Sequence, residues 1–104
     1  MLAVTDETFD DVVLASERPV LVDFRAASCR PCDAVDRVLA ELEPEHGERV
    51  LFAKVDVEAS PSCATRYGVL SIPTVILFER GKPRETLVGA KPRRRFERLL
   101  AGAG

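Results

Sequence analysis

The sequence contains no tryptophan, one histidine, one methionine and three cysteines among 104 residues. Three cysteines are too few for the disulfide framework of a small secreted domain. No apolar run approaches the roughly 18 residues that a membrane-spanning helix needs. The 15 basic and 17 acidic side chains give a net charge of −2, so no overall field favours nucleic acid or an anionic membrane as a partner.

The length and the N-terminus limit the organisation of the chain. A chain of 104 residues can bury one core but not two, so we predict a single domain over residues 1–104. Residues 1–7 have neither the basic region nor the apolar region of a secretion signal. We therefore expect a cytoplasmic protein. A periplasmic protein whose signal has been removed is the alternative, and the initiator methionine argues against it.

Two cysteines stand where an apolar stretch gives way to a helical pattern. Residues 20–24 read Val-Leu-Val-Asp-Phe, residues 29–32 read Cys-Arg-Pro-Cys, and the helical pattern starts at Pro31. The first turn of a helix has unpaired N–H groups and the positive end of the helix dipole, which stabilise a thiolate. A dithiol in this position is reactive, whereas a buried structural cysteine is inert. The pattern predicts redox chemistry at Cys29 and Cys32.

Zinc is the alternative explanation for two closely spaced cysteines, and structural zinc sites need four ligands. The chain has no second Cys-x-x-Cys and no cysteine–histidine pair, since only Cys63 and His46 remain. The ligand inventory therefore favours redox chemistry and predicts no metal site. We interpret Cys63 as a small buried filler, with a regulatory thiol or an intermolecular disulfide as the alternatives.

Strand and helix patterns alternate along the chain in the order β-α-β-α-β-α-β-β-α. After the first strand we predict a helix capped by Thr5 or Asp6 and ended by Arg18-Pro19, then a strand at 20–24 and a helix from Pro31 closed by Pro44 and Gly47. A strand at 50–57 and a short helix at 60–67 follow. Strands at 74–78 and 85–88 flank a turn at 79–82, and Pro92 opens a last helix. The early alternation implies parallel strands, and the final hairpin adds antiparallel ones. We predict one α/β domain with helices on both faces of a sheet.

A series of segments in fixed order carries a family resemblance over essentially the full length. They are residues 20–24, 29–32, 52–57, 67–69, 71–74, 78–81 and 88–90. In these segments the chain resembles the thioredoxins. The resemblance implies the thioredoxin fold, a central mixed five-stranded sheet flanked by four helices.

The resemblance also implies an activity, the reduction of disulfides in client proteins. The placement of the thiols indicates that Cys29 attacks the client disulfide and that Cys32, one turn further into the helix, resolves the mixed disulfide. A thioredoxin reductase would restore the dithiol. No bound cofactor is implied, because the redox-active Cys29–Cys32 pair carries the electrons. We expect a monomer without nucleic-acid or membrane partners.

Asp23 interrupts an otherwise apolar strand. Burial of a carboxylate is costly and raises its pKa, so this group should exchange a proton near neutral pH. The resemblance assigns that exchange to Cys32 and makes Lys54 the partner of the carboxylate. The alternative is a structural ion pair without a catalytic part.

The resemblance places a substrate groove beside the dithiol. In the family the proline at position 73 follows a cis peptide bond and faces the cysteines. The backbone of Ile72 is then free to pair with an extended substrate segment. Gly89 and Ala90 would line the same groove and allow a close approach of the substrate backbone.

The active-site segment departs from the family pattern at three positions. Arg25 and Ser28 replace the usual aromatic residues, and Arg30 replaces the usual glycine before Pro31. We expect these three residues and Pro31 to modulate the site. Arg30 should favour the Cys29 thiolate and make the potential about 20 mV more oxidising. Arg25 either reaches the surface or pairs with an acidic neighbour.

Two other functions remain as alternatives. A more oxidising protein that forms or shuffles disulfides is favoured by Arg30 and opposed by Asp23 and Lys54. A non-catalytic adaptor that binds partners through the groove is opposed by the intact dithiol.

The basic residues 93–95 are interpreted as a solvated helix face.

Overall fold

A mixed five-stranded sheet forms the middle layer of the computed structural model, which describes residues 1–104. The strands are β1 (Leu2–Ala3), β2 (Val20–Arg25), β3 (Leu51–Asp56), β4 (Thr74–Glu79) and β5 (Lys82–Val88). Their order across the sheet is β1-β3-β2-β4-β5. The β1–β3 and β2–β3 pairs are parallel, and the β2–β4 and β4–β5 pairs are antiparallel. The predicted mixed sheet is confirmed.

Four helical segments cover the two faces of this sheet. They are a π-helical segment (Asp10–Leu14), α1 (Arg30–His46), α2 (Pro61–Arg66) and α3 (Arg93–Ala101). None of them combines the length and the apolar character that would let it cross a membrane. The element order matches the predicted alternation.

Alternate residues of the central strands build two separate cores. Val22 and Phe24 of β2 pack with Phe9 and Phe78 on the face that the π-helical segment and α2 cover. Leu21 of β2 belongs to the core on the opposite face, beneath α1 and α3. Burial of each large apolar side chain contributes about 1.5–3 kcal/mol. The unbroken apolar composition of residues 20–22 is explained by this burial on both faces.

The prediction that Thr5 or Asp6 caps the first helix is wrong. The chain does turn at Thr5, whose carbonyl accepts the N–H of Phe9 at 2.9 Å, but the regular helical segment begins only at Asp10. The Asp6 carboxylate instead accepts the N–H groups of Ser62 and Cys63, at 3.1 and 2.9 Å, in the first turn of α2. A tertiary contact therefore supplies the acceptor for α2, since Ser60 at its N-cap makes no side-chain cap bond.

Two element ends also differ from the prediction. Pro44 lies inside α1, which continues to His46 and ends at Gly47. A proline removes only one helical N–H, and its position in the last turns limits the disruption. Strand β5 begins at Lys82 and not at residue 85, because Arg80 and Gly81 have φ values of 52° and 76°. Two positive φ angles are typical of a tight hairpin turn.

The register of the sheet brings three chain segments to one edge. Phe24, near the end of β2, pairs with Thr74 at the start of β4, and Thr74 pairs with Val88 at the end of β5. The loops that follow β2 and β5 and the segment that precedes β4 therefore meet at this edge. These segments contain the two cysteines, Pro73 and Gly89.

Candidate active site

Cys29 and Cys32 form a disulfide bond at the N-terminus of α1, with their Cα atoms 5.2 Å apart. Cys29 is the N-cap residue, and its Sγ accepts the N–H of Cys32 at 3.2 Å. Cys29 is half-buried, whereas Cys32 is 0% exposed. After reduction, the sulfur of Cys29 can meet an incoming disulfide and is stabilised as a thiolate by the helix N-terminus. Cys32 is shielded from solvent.

The residues around the cysteines form a polar and accessible rim. Ser28, Arg30 and Pro31 are all exposed. Pro31 lies in the first turn of α1, where backbone N–H groups have no partner within the helix. The N–H that proline lacks therefore costs no helical hydrogen bond. Arg30 forms no ion pair, so its positive charge is free beside Cys29. Arg30 therefore adds an unpaired positive charge to the rim of the dithiol.

Asp23 lies in β2, the strand that precedes this rim, and is 0% exposed. Neither of its carboxyl oxygens has a hydrogen-bond donor within reach. Burial raises the pKa of Asp23 to about 9, helped by the neighbouring Asp36, which can accept a hydrogen bond from protonated Asp23 and repels its ionised form. Asp23 thus holds its proton at neutral pH, in line with the raised pKa expected from its apolar strand.

Arg25 pairs with two acidic residues of α1. Its Nε donates to Asp36 Oδ2 at 2.6 Å, and its Nη2 donates to Asp33 Oδ1 at 3.2 Å. Of the two placements that the sequence left open, the ion pair is correct. These hydrogen bonds connect the end of β2 to the first turns of α1, the part of the helix that also contains Cys32.

Lys54 does not form the expected pair with Asp23. The two residues are register neighbours on the parallel strands β2 and β3. The Lys54 side chain is nevertheless exposed and makes no salt bridge. Its positive charge lowers the pKa of Asp23 less than Arg25 does. Solvation of the lysine ammonium explains this placement.

The expected groove residues come together at the edge of the sheet. The Ile72–Pro73 peptide bond is cis, as the resemblance implied. The backbone N–H and C=O of Ile72 make no hydrogen bond within the protein. Gly89 donates its N–H to the carbonyl of Pro73 at 2.8 Å and has a φ of 94°, a conformation that favours glycine. Ala90 is exposed beside it.

The sequence analysis missed two parts of this site. Leu70 and Val88 are 98% and 51% exposed and line a cavity of about 260 Å³ beside the groove. An apolar residue directly before the Ser71-Ile72-Pro73 segment was the available signal for Leu70. Asp36 was also missed, although a residue four positions after Cys32 lies on the same side of a helix.

The third cysteine lies in a different environment. Cys63 is buried in α2, and its thiol donates a hydrogen bond to Asp6 Oδ1 at 2.9 Å. Burial, with the hydrogen bond and charge of Asp6, raises the pKa of Cys63 to about 12. This placement supports the interpretation as a buried filler.

The remaining polar residues form no second centre. Arg93 binds Glu41 at 2.7 Å and Glu97 at 3.4 Å on the surface. No group of three or more histidine, cysteine or acidic side chains is arranged to hold a metal ion. The dithiol, the buried carboxyl and the adjoining groove therefore make up the candidate active site.

Comparison with known proteins gives the same assignment. Residues 1–101 match the family model described as Thioredoxin. The thioredoxin of Mycolicibacterium smegmatis is 47% identical, over 98% of this chain and 93% of its own length. The thioredoxin of Mycobacterium tuberculosis is 44% identical over 96% and 86%, and that of Streptomyces clavuligerus 46% identical over 86% and 83%. The chain therefore belongs to the thioredoxin family and is a thiol–disulfide oxidoreductase.

Proposed function

We propose that this protein reduces disulfides in client proteins, with Cys29 as the attacking thiolate and Cys32 as the resolving thiol. The observation that carries the proposal is the asymmetry of the pair, since Cys29 is the half-buried N-cap of α1 while Cys32 is 0% exposed. The thiol that a client can reach is also the one that the helix N-terminus stabilises as a thiolate.

The reaction proceeds in two exchanges that balance in electrons and protons. The Cys29 thiolate attacks one sulfur of the client disulfide, and a client thiolate leaves as the mixed disulfide forms. Cys32 then loses its proton and attacks Cys29 Sγ, which closes the Cys29–Cys32 bond and releases the second client thiolate. The client gains two electrons and the dithiol loses two. Asp23 is the proposed proton-exchange group for Cys32: its ionised form takes the proton that Cys32 loses, and the positive charge of Lys54 modestly favours that form.

An extended client segment pairs with the unbonded backbone of Ile72 in this proposal. The N–H and C=O of Ile72 offer one donor and one acceptor to a substrate strand. A Cβ at Gly89 would meet no atom within 4 Å, so the groove is open there. Pro73 and Ala90 border the same strip, and the exposed Leu70 offers an apolar contact to a client side chain.

The cellular setting is part of the proposal. A thioredoxin reductase would return the two electrons to the Cys29–Cys32 disulfide, and no further cofactor takes part. The protein would act in the cytoplasm as a monomer with one domain over residues 1–104. Membership in the thioredoxin family supports this setting.

Trapping of mixed disulfides tests the roles of the two cysteines. Cys32→Ser, reduced and then mixed with a disulfide-containing protein such as insulin, should accumulate a mixed disulfide through Cys29. Cys29→Ser should trap none, and Cys63→Ser should turn over like the wild type. Accumulation of adducts on Cys32 in Cys29→Ser, at the rate seen for Cys32→Ser, would reverse the assignment.

A more oxidising role is the second candidate, and the free charge of Arg30 beside Cys29 favours it. A cation that stabilises the reduced dithiol makes the disulfide a stronger oxidant. The measured potential decides between the two functions. A value near about −270 mV supports a reductant, and a value near about −120 mV supports an oxidase.

A further inference from the structure

Three buried carboxyl oxygens in the active site have no hydrogen-bond donor. They are both oxygens of Asp23 and Oδ1 of Asp36. Asp36 is near enough to Asp23 to accept a hydrogen bond from its protonated form. Buried polar atoms are nearly always paired, so these three unpaired oxygens need an explanation. Two ionised carboxylates have no donor to offer each other and repel. One proton shared between them gives a donor and removes one of the two charges.

The arrangement of charges decides which carboxyl holds the proton. Arg25 donates to Asp36 Oδ2 at 2.6 Å, so the Asp36 carboxyl has a guanidinium partner. Asp23 has no such donor and is fully buried. The other charges near the pair are Asp33, which shares Arg25, and Lys54 on β3, which is exposed. β4 presents only the apolar Val75 opposite Asp23.

The two carboxyls differ in their access to water. Asp23 is fully buried, whereas the side chain of Asp36 is 25% exposed. A proton that leaves or enters Asp23 can therefore pass through Asp36 to solvent. Asp36 occupies the place between the buried carboxyl and the surface.

We propose that Asp23 and Asp36 act as one carboxyl pair with a shared proton, in which Asp36, fixed by Arg25, is a positioning residue for the dithiol chemistry. The proposal rests on the proposed function for its catalytic consequence. At neutral pH the pair carries one proton and one negative charge, so it can give a proton to Cys32 or take one from it. When Cys32 resolves the mixed disulfide, its S–H bond breaks, one O–H bond forms on the pair, and the pair becomes neutral.

A carbon NMR titration of the aspartate carboxyls in the oxidised wild type tests the pair without any turnover. Coupled carboxyls report each other's titration. The Asp36 carbon should therefore show a second inflection at the midpoint of Asp23. A single Asp36 inflection with no response to Asp23 would overturn the proposal, whatever the enzymatic assays give.

Substitution of Asp36 gives the second test. Asp36→Asn should lower the Asp23 midpoint by about one pH unit or more, because a negative neighbour is replaced by an amide donor. Asp36→Glu should restore most of the wild-type midpoint. Asp33→Asn is the matched control, since Asp33 binds Arg25 as well, and it should shift the midpoint by less than half as much.

A further measurement tests whether Asp36→Asn loosens the fold in general. Amide hydrogen exchange along β2 should be unchanged in Asp36→Asn, so that entry of water does not account for the shift. An equal shift in Asp33→Asn, or no shift in a folded Asp36→Asn, would contradict the proposal.

The pH profile of mixed-disulfide resolution separates this inference from the proposed function. In the wild type the rate should vary little between about pH 5 and pH 8, because the pair keeps one carboxylate throughout that range. In Asp36→Asn the rate should fall about tenfold per pH unit below the new Asp23 midpoint. Profiles of the same shape in both proteins would remove Asp36 from the chemistry while leaving Cys29 and Cys32 in their roles.

Discussion

Two regions of this molecule place a cysteine at a helix N-terminus near an aspartate, with opposite results. In the first turn of α2, the thiol of Cys63 donates to Asp6 at 2.9 Å. At the start of α1, Cys29 and Cys32 form a disulfide, and the carboxyl of Asp23 on the adjoining strand β2 is buried. The hydrogen bond with the Cys63 thiol lowers the pKa of Asp6, whereas burial raises the pKa of Asp23 to about 9.

The burial of the carboxyl explains the difference. An ionised Asp6 is a strong acceptor and holds the Cys63 thiol in its protonated, unreactive form. A protonated Asp23 is a weaker acceptor than a carboxylate and has a proton to donate, which suits the exchange with Cys32 that we propose. The same two residue types therefore make a structural contact in one region and a reactive centre in the other.

The largest expected effect is a difference in alkylation rate between the two regions. With a pKa of about 12, about one Cys63 thiol in 10⁵ is ionised at pH 7. In the reduced native protein, iodoacetamide should therefore modify Cys29 at least about 1000-fold faster than Cys63. A time course followed by mass spectrometry gives both rates, and denatured protein gives the matched control. Similar rates in the native protein would show that the hydrogen bond to Asp6 does not keep the Cys63 thiol protonated.

Asp23 should make the fold less stable as pH rises. The pKa of Asp23 is about 9 in the folded protein and about 4 in an unfolded chain. The folded state therefore binds the extra proton between these values. The contribution of this carboxyl to the free energy of unfolding is complete below about pH 4 and falls by about 1.4 kcal/mol per pH unit toward pH 9.

Asp23→Asn removes this dependence. Relative to the wild type, the variant should gain up to about 4 kcal/mol of stability between about pH 5 and pH 8. Denaturant unfolding of both oxidised proteins measures the difference at each pH. A constant difference from pH 5 to pH 8 would mean that Asp23 titrates normally.

Asp6 should have the opposite pH dependence and a smaller effect. Because its pKa is lowered in the folded protein, its contribution to stability is present above the pKa of the unfolded chain and is lost as pH falls through the folded value. Asp6→Asn should lower Tm by a few degrees at pH 7 and by less in acid. Asp11→Asn, an exposed acidic neighbour, is the control. Equal effects of the two substitutions would argue against the contact with α2.

The smallest expected effect concerns Arg30. Arg30→Gln should lower the Cys29–Cys32 potential by about 20 mV, because it removes a cation that favours the reduced thiolate. Since Arg30 is exposed, the difference should shrink at high ionic strength. Equilibration with glutathione at two salt concentrations measures it, with Arg37→Gln as the control. A potential that rises, or that does not respond to salt, would contradict the charge argument.

Local patterns predicted most of the fold and the location of the dithiol. The apolar run of residues 20–24, the Cys-x-x-Cys motif and the helical spacing after Pro31 are signals within about 25 residues of one another. The cap of the first helix and the partner of Asp23 were predicted wrongly because both depend on distant contacts. Asp6 caps a helix whose first turn lies 56 positions away.

The surroundings of Asp23 were predictable only in part. The interruption of an apolar strand indicated its burial and its raised pKa. Its partner depends on how α1 is rotated over β2, which the sequence pattern does not determine. The resemblance favoured Lys54, but the rotation of α1 brings Asp36 to the carboxyl, where Arg25 of β2 binds it, while Lys54 is exposed.

One titration tests the central claim most directly. Carbon NMR of the oxidised wild type, recorded from about pH 2 to pH 10, follows the Asp6 and Asp23 carboxyls in the same sample. We predict that Asp23 titrates near pH 9 and Asp6 below its ordinary value. If both carboxyls titrate together near pH 4, burial does not separate the two cysteine regions and the account is wrong.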